Sequence, residues 1–138
     1  MRKRLIAIIA VLLSMAGLAV ASAAPAAADV NFTCFGYTGT FMDPTVYRTY
    51  VGPVYWTYGA DNCFGISPGR HIWSTSPGHP WSTIPGGGLA DGISYLWEDV
   101  YSSSLYAKNI QVWVAASGNY YCQTWWSDTG WNAGWVRC

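Results

Sequence analysis

The sequence predicts an all-β fold, a small disulfide-stapled barrel or sandwich of short antiparallel strands. Three observations predict it. Gly and Pro recur at Gly36, Gly39, Pro44, Gly52-Pro53, Gly59, Gly65, Pro68-Gly69, Pro77-Gly78, Pro80, Pro85, Gly86-Gly87-Gly88 and Gly92, a spacing that interrupts helices and marks turns. Between them lie short β-branched and aromatic runs, side chains suited to a pleated, half-buried surface. The four cysteines Cys34, Cys63, Cys122 and Cys138 are an even number in a short chain with an export leader, and they read as two disulfides.

The leader comes first. Arg2-Lys3-Arg4 is a charged start, Leu5–Val20 an apolar run and Ala26-Ala27-Ala28 a small-residue cleavage site, the three parts of a secretory signal peptide. A membrane anchor needs about 20 apolar residues with charge after them. Here the run breaks into Ser, Ala and Pro, and Asp29 follows. Residues 1–28 are therefore expected to be removed. Asp29–Cys138 is expected to be a single secreted, extracellular domain, of bacterial type from its Ala-rich leader.

The mature part keeps Arg48, Arg70, Lys108 and Arg137 against Asp29, Asp43, Asp61, Asp91, Glu98, Asp99 and Asp128. It is acidic, with no cluster of cations to neutralise phosphates. Nucleic acid is excluded as a partner, and so is an anionic membrane surface once the leader is gone. A monomer without cofactor is expected.

In chain order, the strand candidates are Asn31–Tyr37, Val46–Val51, Val54–Tyr58, His71–Ser74, Ile93–Tyr101, Ile110–Ala115, Tyr120–Trp126 and Trp135–Arg137. Leu105–Lys108 is a candidate helical turn, and Pro80–Gly88 reads as a mobile loop. Ser117-Gly118-Asn119 joins two aromatic runs as a hairpin turn, with its register open between Gly118-Asn119 and Ser117-Gly118. Of the three possible disulfide pairings, Cys34–Cys63 and Cys122–Cys138 close the shortest loops and are favoured. Each would add about 3 kcal/mol through loop entropy.

The chemistry-bearing motifs are weak. Gly65-Ile-Ser-Pro-Gly69 has the letters of a nucleophile elbow, but Pro68 lacks the N–H that the oxyanion hole takes from that position; a turn is expected. His71 and His79 are the only histidines and have no metal-ligand spacing, so no metal site is expected. Glu98 and Asp99 are neighbours on a strand and point to opposite faces. They cannot flank one glycosidic bond, and a solvated bulge or edge carboxylate is expected. A hydrolase using His71 with Asp61 or Glu98 is the weakest of the functional readings, and no catalytic residue is assigned. Asn31-Phe32-Thr33 is an accidental glycosylation sequon in this context.

The aromatic content is the stronger signal. Nine Trp, ten Tyr and four Phe exceed what the core of so small a domain absorbs. Trp73, Trp97, Trp113 and Trp135 lie beside Val or Ile and are expected in the core. Trp81, Trp126, Trp131 and Tyr58 lie beside Ser, Asp, Asn and Gly, where flat rings next to hydrogen-bonding groups suit a sugar or a peptide. Trp81, Trp126 and Trp131, rimmed by Asp128 and Asn132, form the expected binding platform.

The stretch Ile72-Trp-Ser-Thr-Ser-Pro-Gly-His-Pro-Trp-Ser-Thr-Ile-Pro-Gly-Gly87 and the ending Thr129-Gly-Trp-Asn-Ala-Gly-Trp-Val-Arg137 resemble bacterial Src-homology-three-like domains. The likeness spans residues 72–138 and leaves residues 29–70 as an N-terminal annex. It implies a barrel of five or six strands that binds cell-wall peptide or targets a secreted protein, with Trp81 and Trp135 on matching positions. The expected function is thus a secreted, non-catalytic module that binds an extracellular polymer, cell-wall peptide or glycan. The alternative is an inhibitor of an extracellular protease or glycosidase that presents Pro77–Gly88.

Overall fold

The computed structural model describes residues 28–43 and 47–138. The expected leader, apart from Ala28, lies outside the described residues, as does Val46. Among the described residues eleven strands follow one another: β1 (Val30–Cys34), β2 (Tyr37–Phe41), β3 (Tyr50–Val54), β4 (Asn62–Ile66), β5 (Ile72–Ser76), β6 (His79–Thr83), β7 (Gly92–Val100), β8 (Tyr106–Val114), β9 (Asn119–Trp126), β10 (Gly130–Trp131) and β11 (Val136–Arg137). They form a two-stranded ribbon β1-β2, a four-stranded sheet β3-β4-β5-β6 and a five-stranded sheet β10-β9-β8-β7 with β11 also on β9. Every pairing is antiparallel. The sheets stay open, so of barrel and sandwich the chain forms the sandwich, where the resemblance implied a barrel.

The ribbon shows how local chemistry sets the path. Phe35 and Gly36 both take positive φ, 51° and 85°, the paired left-handed geometry of a tight hairpin turn. Along both strands the burial alternates and ends on buried Cys34 and Phe41. Its outer side carries threonines, with Thr33 and Thr38 bonded through their hydroxyls at 2.7 Å and Thr40 donating to Asn31 at 2.9 Å. The inner side lies on the four-stranded sheet. There the Cys34–Cys63 bridge ties it to β4, and Phe41 covers Gly65. The Cys122–Cys138 bridge ties the terminus to β9. Both pairings are those favoured from loop length.

The four-stranded sheet takes β3 and β4 from residues 29–70 and β5 and β6 from residues 72–138, so the expected annex and barrel-like part share one sheet. Strand β4 escaped the sequence reading because it is covered on both faces. Cys63, Phe64 and Ile66 are all buried, so the strand shows no alternation. Ser67–Arg70 is the β4–β5 turn, closed by Arg70 N–H donating to the Ser67 carbonyl at 2.7 Å. This is the turn expected at the elbow-like motif.

The core lies between the two large sheets. Phe64, Ile66, Ile72, Ile84 and Ala90 meet Ile93, Ile110 and Val112. Burying each Ile or Val contributes about 1.5–3 kcal/mol. Arg70 and Asp91 form an ion pair at 2.8 Å, and the same carboxylate accepts the Ala115 N–H at 2.7 Å, which ties three connections together at one end.

Three local expectations are corrected. Leu105–Lys108 is not a helical turn; Tyr106 starts β8, because Tyr106, Lys108, Ile110 and Val112 are needed on one face of the sheet. Within Pro80–Gly88, the expected loop, Pro80–Thr83 belong to β6, paired with β5 through Trp73↔Thr83 and Ser74↔Ser82. The β8–β9 turn uses neither two-residue register: Val114 pairs with Asn119, leaving a four-residue connection with Gly118 at φ 63°.

Candidate functional site

Opposite residues on paired strands share a face, and successive residues alternate. Register therefore sorts the aromatics of the five-stranded sheet. Its inner face carries Leu96, Glu98, Lys108, Ile110, Val112, Tyr121, Gln123 and Trp125. Its outer face carries the rows Asp99–Ala107–Trp126, Trp97–Asn109–Thr124, Tyr95–Gln111–Cys122 and Gly92–Trp113–Tyr120.

Two stacked pairs stand on that outer face. Tyr95 and Trp97 lie 5.7 Å apart between ring centroids at 23°, and Tyr101 and Trp126 lie 5.9 Å apart, also at 23°. Tyr95 and Tyr101 are 62% and 64% exposed, which is unusual for rings that could pack inward. Strand geometry places Trp97 and Trp126 about 12 Å apart at their Cα atoms, two strands across and two residues along.

Between the pairs is a polar relay. Thr124 Oγ1 donates to Asn109 Oδ1 at 2.7 Å, and Asn109 Nδ2 donates to Asp99 Oδ2 at 2.8 Å. Asn109 is buried and Asp99 exposed, so the relay holds a carboxylate beside the rings with acceptor capacity left for a ligand. The β7–β8 loop is held to the β9–β10 turn by Ser127 Oγ donating to the Ser104 carbonyl at 2.9 Å, which positions Tyr101. At the far end Trp113, Tyr120 and Tyr47 cluster. The hydroxyls of Tyr47 and Tyr120 share a hydrogen bond at 2.5 Å, and it holds the Tyr120 phenol above its ordinary value by favouring the protonated form.

The structure does not bring the sequence-predicted platform together. Trp126 is on the outer face. Trp131 pairs with Trp125 and packs on the core from the inner side. Trp81 is on β6, against Phe41 at 4.7 Å, with its N–H given to the Tyr37 carbonyl at 3.0 Å. Asp128 is exposed in the β9–β10 turn and accepts from Thr129 at 3.3 Å. Asn132 uses its backbone, donating to Thr124 at 2.9 Å and accepting from Gln123 at 3.0 Å. Trp97 and Trp113, expected in the core, sit on the outer face half-buried, whereas Trp135 does pack on the core. Tyr95, Trp97, Asn109 and Thr124 were missed, although their alternation along β7, β8 and β9 carried the signal once register was known.

His71 immediately precedes β5 and forms an isolated bridge with Leu89. Ile72 and Leu89 line one cavity with Val112 and Val114, so His71 is at the opposite end of the sandwich from Glu98. Those residues do not converge. Among the described residues no three or more His, Cys, Asp or Glu gather as a metal-ligand set, and no helix is long and apolar enough to cross a membrane.

Glu98 lies on the edge strand β7, as expected of an edge carboxylate, and it also anchors a loop. It accepts the backbone N–H groups of Thr57 and Tyr58 at 2.8 and 3.2 Å. Burial works to raise its carboxyl, but those bonds and the Lys108 charge outweigh it and hold the pKa below the ordinary 4.5. Opposite, Lys108 is buried and donates to the Ala60 carbonyl and to Asn62 Oδ1. Its ammonium lies over Trp56 at 5.5 Å and Trp125 at 5.1 Å. Burial lowers its pKa, against the pull of Glu98 and Asp61.

A carboxylate with a depressed folded-state pKa stabilises fully above its unfolded value and loses that contribution as the pH falls through the folded one. Glu98→Gln is therefore expected to cost about 1–2 kcal/mol at neutral pH, discounted for partial exposure. The gap from wild type should close as the pH drops below 4.5. Urea midpoints of both proteins at neutral and acid pH measure it, and a gap that is constant with pH contradicts the assignment.

No family model, curated protein or solved structure matches the chain.

Proposed function

We propose that the protein is a secreted, non-catalytic binding module whose outer sheet face grips a neutral extracellular polysaccharide. The supporting observation is the pair of ring stacks, Tyr95–Trp97 and Tyr101–Trp126, flanking the Thr124–Asn109–Asp99 relay. Flat rings offer apolar faces to the C–H side of a pyranose, and the relay offers hydrogen-bond groups to its hydroxyls. The Trp97 to Trp126 span matches a disaccharide repeat better than a single ring. Among the described residues, Asp99 is the one ionic side chain in these rows, since Lys108 points to the other face. Its negative charge disfavours an anionic polymer. Two disulfides suit the oxidising environment outside the cell.

Retention of the protein on insoluble glucans, chitin and peptidoglycan tests this, with Trp97→Ala/Trp126→Ala alongside. The wild type should be retained on at least one of them and the variant released. The inhibitor reading relied on Pro77–Gly88 as a loop, and β6 takes His79–Thr83 out of that segment.

A further inference from the structure

The sandwich is not filled at its Lys108 end. On the inner side of the four-stranded sheet, the row Ile66–Ile72–Ile84 is apolar. The next row is Phe64–Ser74–Ser82, and beyond it stand Asn62 and Ser76. Opposite them are Lys108, Trp125 and Trp131, and between the sheets lies a cleft of about 410 Å³. Protein interiors are close-packed, and a small domain depends on apolar inward positions. A strand that turns Ser74 and Ser76 inward forgoes that burial and leaves hydroxyls on a cavity wall. The opening falls within the roughly 300–1,000 Å³ range of small-ligand sites.

The chemistry of the walls names the ligand class. Trp125 and Trp131 supply ring faces, and the serines supply hydroxyls that both donate and accept. Two of the three Lys108 N–H bonds go to Ala60 and Asn62, which leaves one donor. The Lys108 charge is offset by Glu98 and Asp61, so the cleft has donors without a field that selects anions. Unlike the open outer face, it is a cleft walled by both sheets, with Phe64 from one and Lys108 from the other, which suits a chain end better than a chain middle. We infer that this cleft is a second saccharide site, taking one neutral mono- or disaccharide unit. It extends the polysaccharide reading of the outer face but stands on different residues. The consecutive Trp125 and Trp126 point one ring to each site.

The test uses the side-chain N–H signals of the nine tryptophans in the ¹⁵N-labelled protein. Glucose, N-acetylglucosamine, cellobiose and chitobiose are each added to about 10 mM, enough to fill most of a millimolar site. At least one sugar should move the Trp125 and Trp131 signals saturably. Ser74→Leu/Ser82→Leu, which fills the cleft, should abolish those shifts while leaving polymer retention intact. Ser74→Val alone serves if the double variant does not fold, and should weaken the shifts. If no sugar moves Trp125 or Trp131, or if only Trp97 and Trp126 respond, the inference is overturned. Retention lost in Trp97→Ala/Trp126→Ala with the cleft shifts preserved separates the two sites. Cleft shifts without retention on any polymer leave this site standing and remove the outer-face proposal.

Discussion

Phe41→Ala should lower the unfolding free energy by about 4 kcal/mol, in the range for a buried Phe reduced to Ala. Phe41 is 2% exposed and is the plug between the ribbon and the four-stranded sheet. Its ring occupies the space left by two missing side chains: a Cβ on Gly39 or on Gly65 would collide with it. Trp81 meets it edge-on at 4.7 Å, and Phe32 stands 6.4 Å away. Removing the ring leaves a cavity that cannot collapse freely, because Cys34–Cys63 fixes the ribbon in place. The loss is a large share of a typical net stability of about 5–15 kcal/mol. Gly65→Ala probes the same contact from below and should cost about 1–3 kcal/mol by overpacking, although it deletes nothing. Denaturant midpoints measure both. A wild-type midpoint for Phe41→Ala would mean that the ribbon contributes little to the fold.

Trp97→Ala/Trp126→Ala should weaken binding to the retaining polymer by several hundred-fold while leaving the thermal midpoint nearly unchanged. Central aromatic anchors cost about 2 kcal/mol each on truncation, and every 1.4 kcal/mol is about tenfold in affinity. Both indoles are half-buried on an outer face, so stability depends on them far less than on Phe41. Each single variant should lose about thirty-fold on the same scale. Asp99→Ala should lose less, because it removes one acceptor and frees Asn109 Nδ2 to bond water. Equal loss of binding and of midpoint would make the rings structural.

What the residues disclosed in advance, and what they withheld, follows from range. Turn chemistry is local, so the all-β class and the Ser67–Arg70 turn were legible, and loop length alone favoured the observed disulfides. The ribbon is only half legible: Asn31–Tyr37 reads as one strand, because Phe35 at φ 51° is a position where a bulky residue is rare. Strand β4 hid because burial on both faces erases its period. The candidate site hid for a longer-range reason. Trp97, Asn109 and Thr124 are far apart in sequence and meet only through the β7-β8-β9 register. Trp125 and Trp126 look equivalent as neighbours, yet the pleat sends one ring into the cleft and the other outward. Lys108 was legible in principle, since it shares its face with Ile110 and Val112. A cation in that pattern marks an inward charge that needs partners.

The most direct measurement is a ¹⁵N–¹H spectrum recorded with soluble oligosaccharides cut from whichever polymer retains the protein. The side-chain N–H signals of Trp97 and Trp126 and the buried amide of Asn109 should move together and saturate on one curve. Retention on the polymer with those three signals unmoved would contradict the assignment of the outer face.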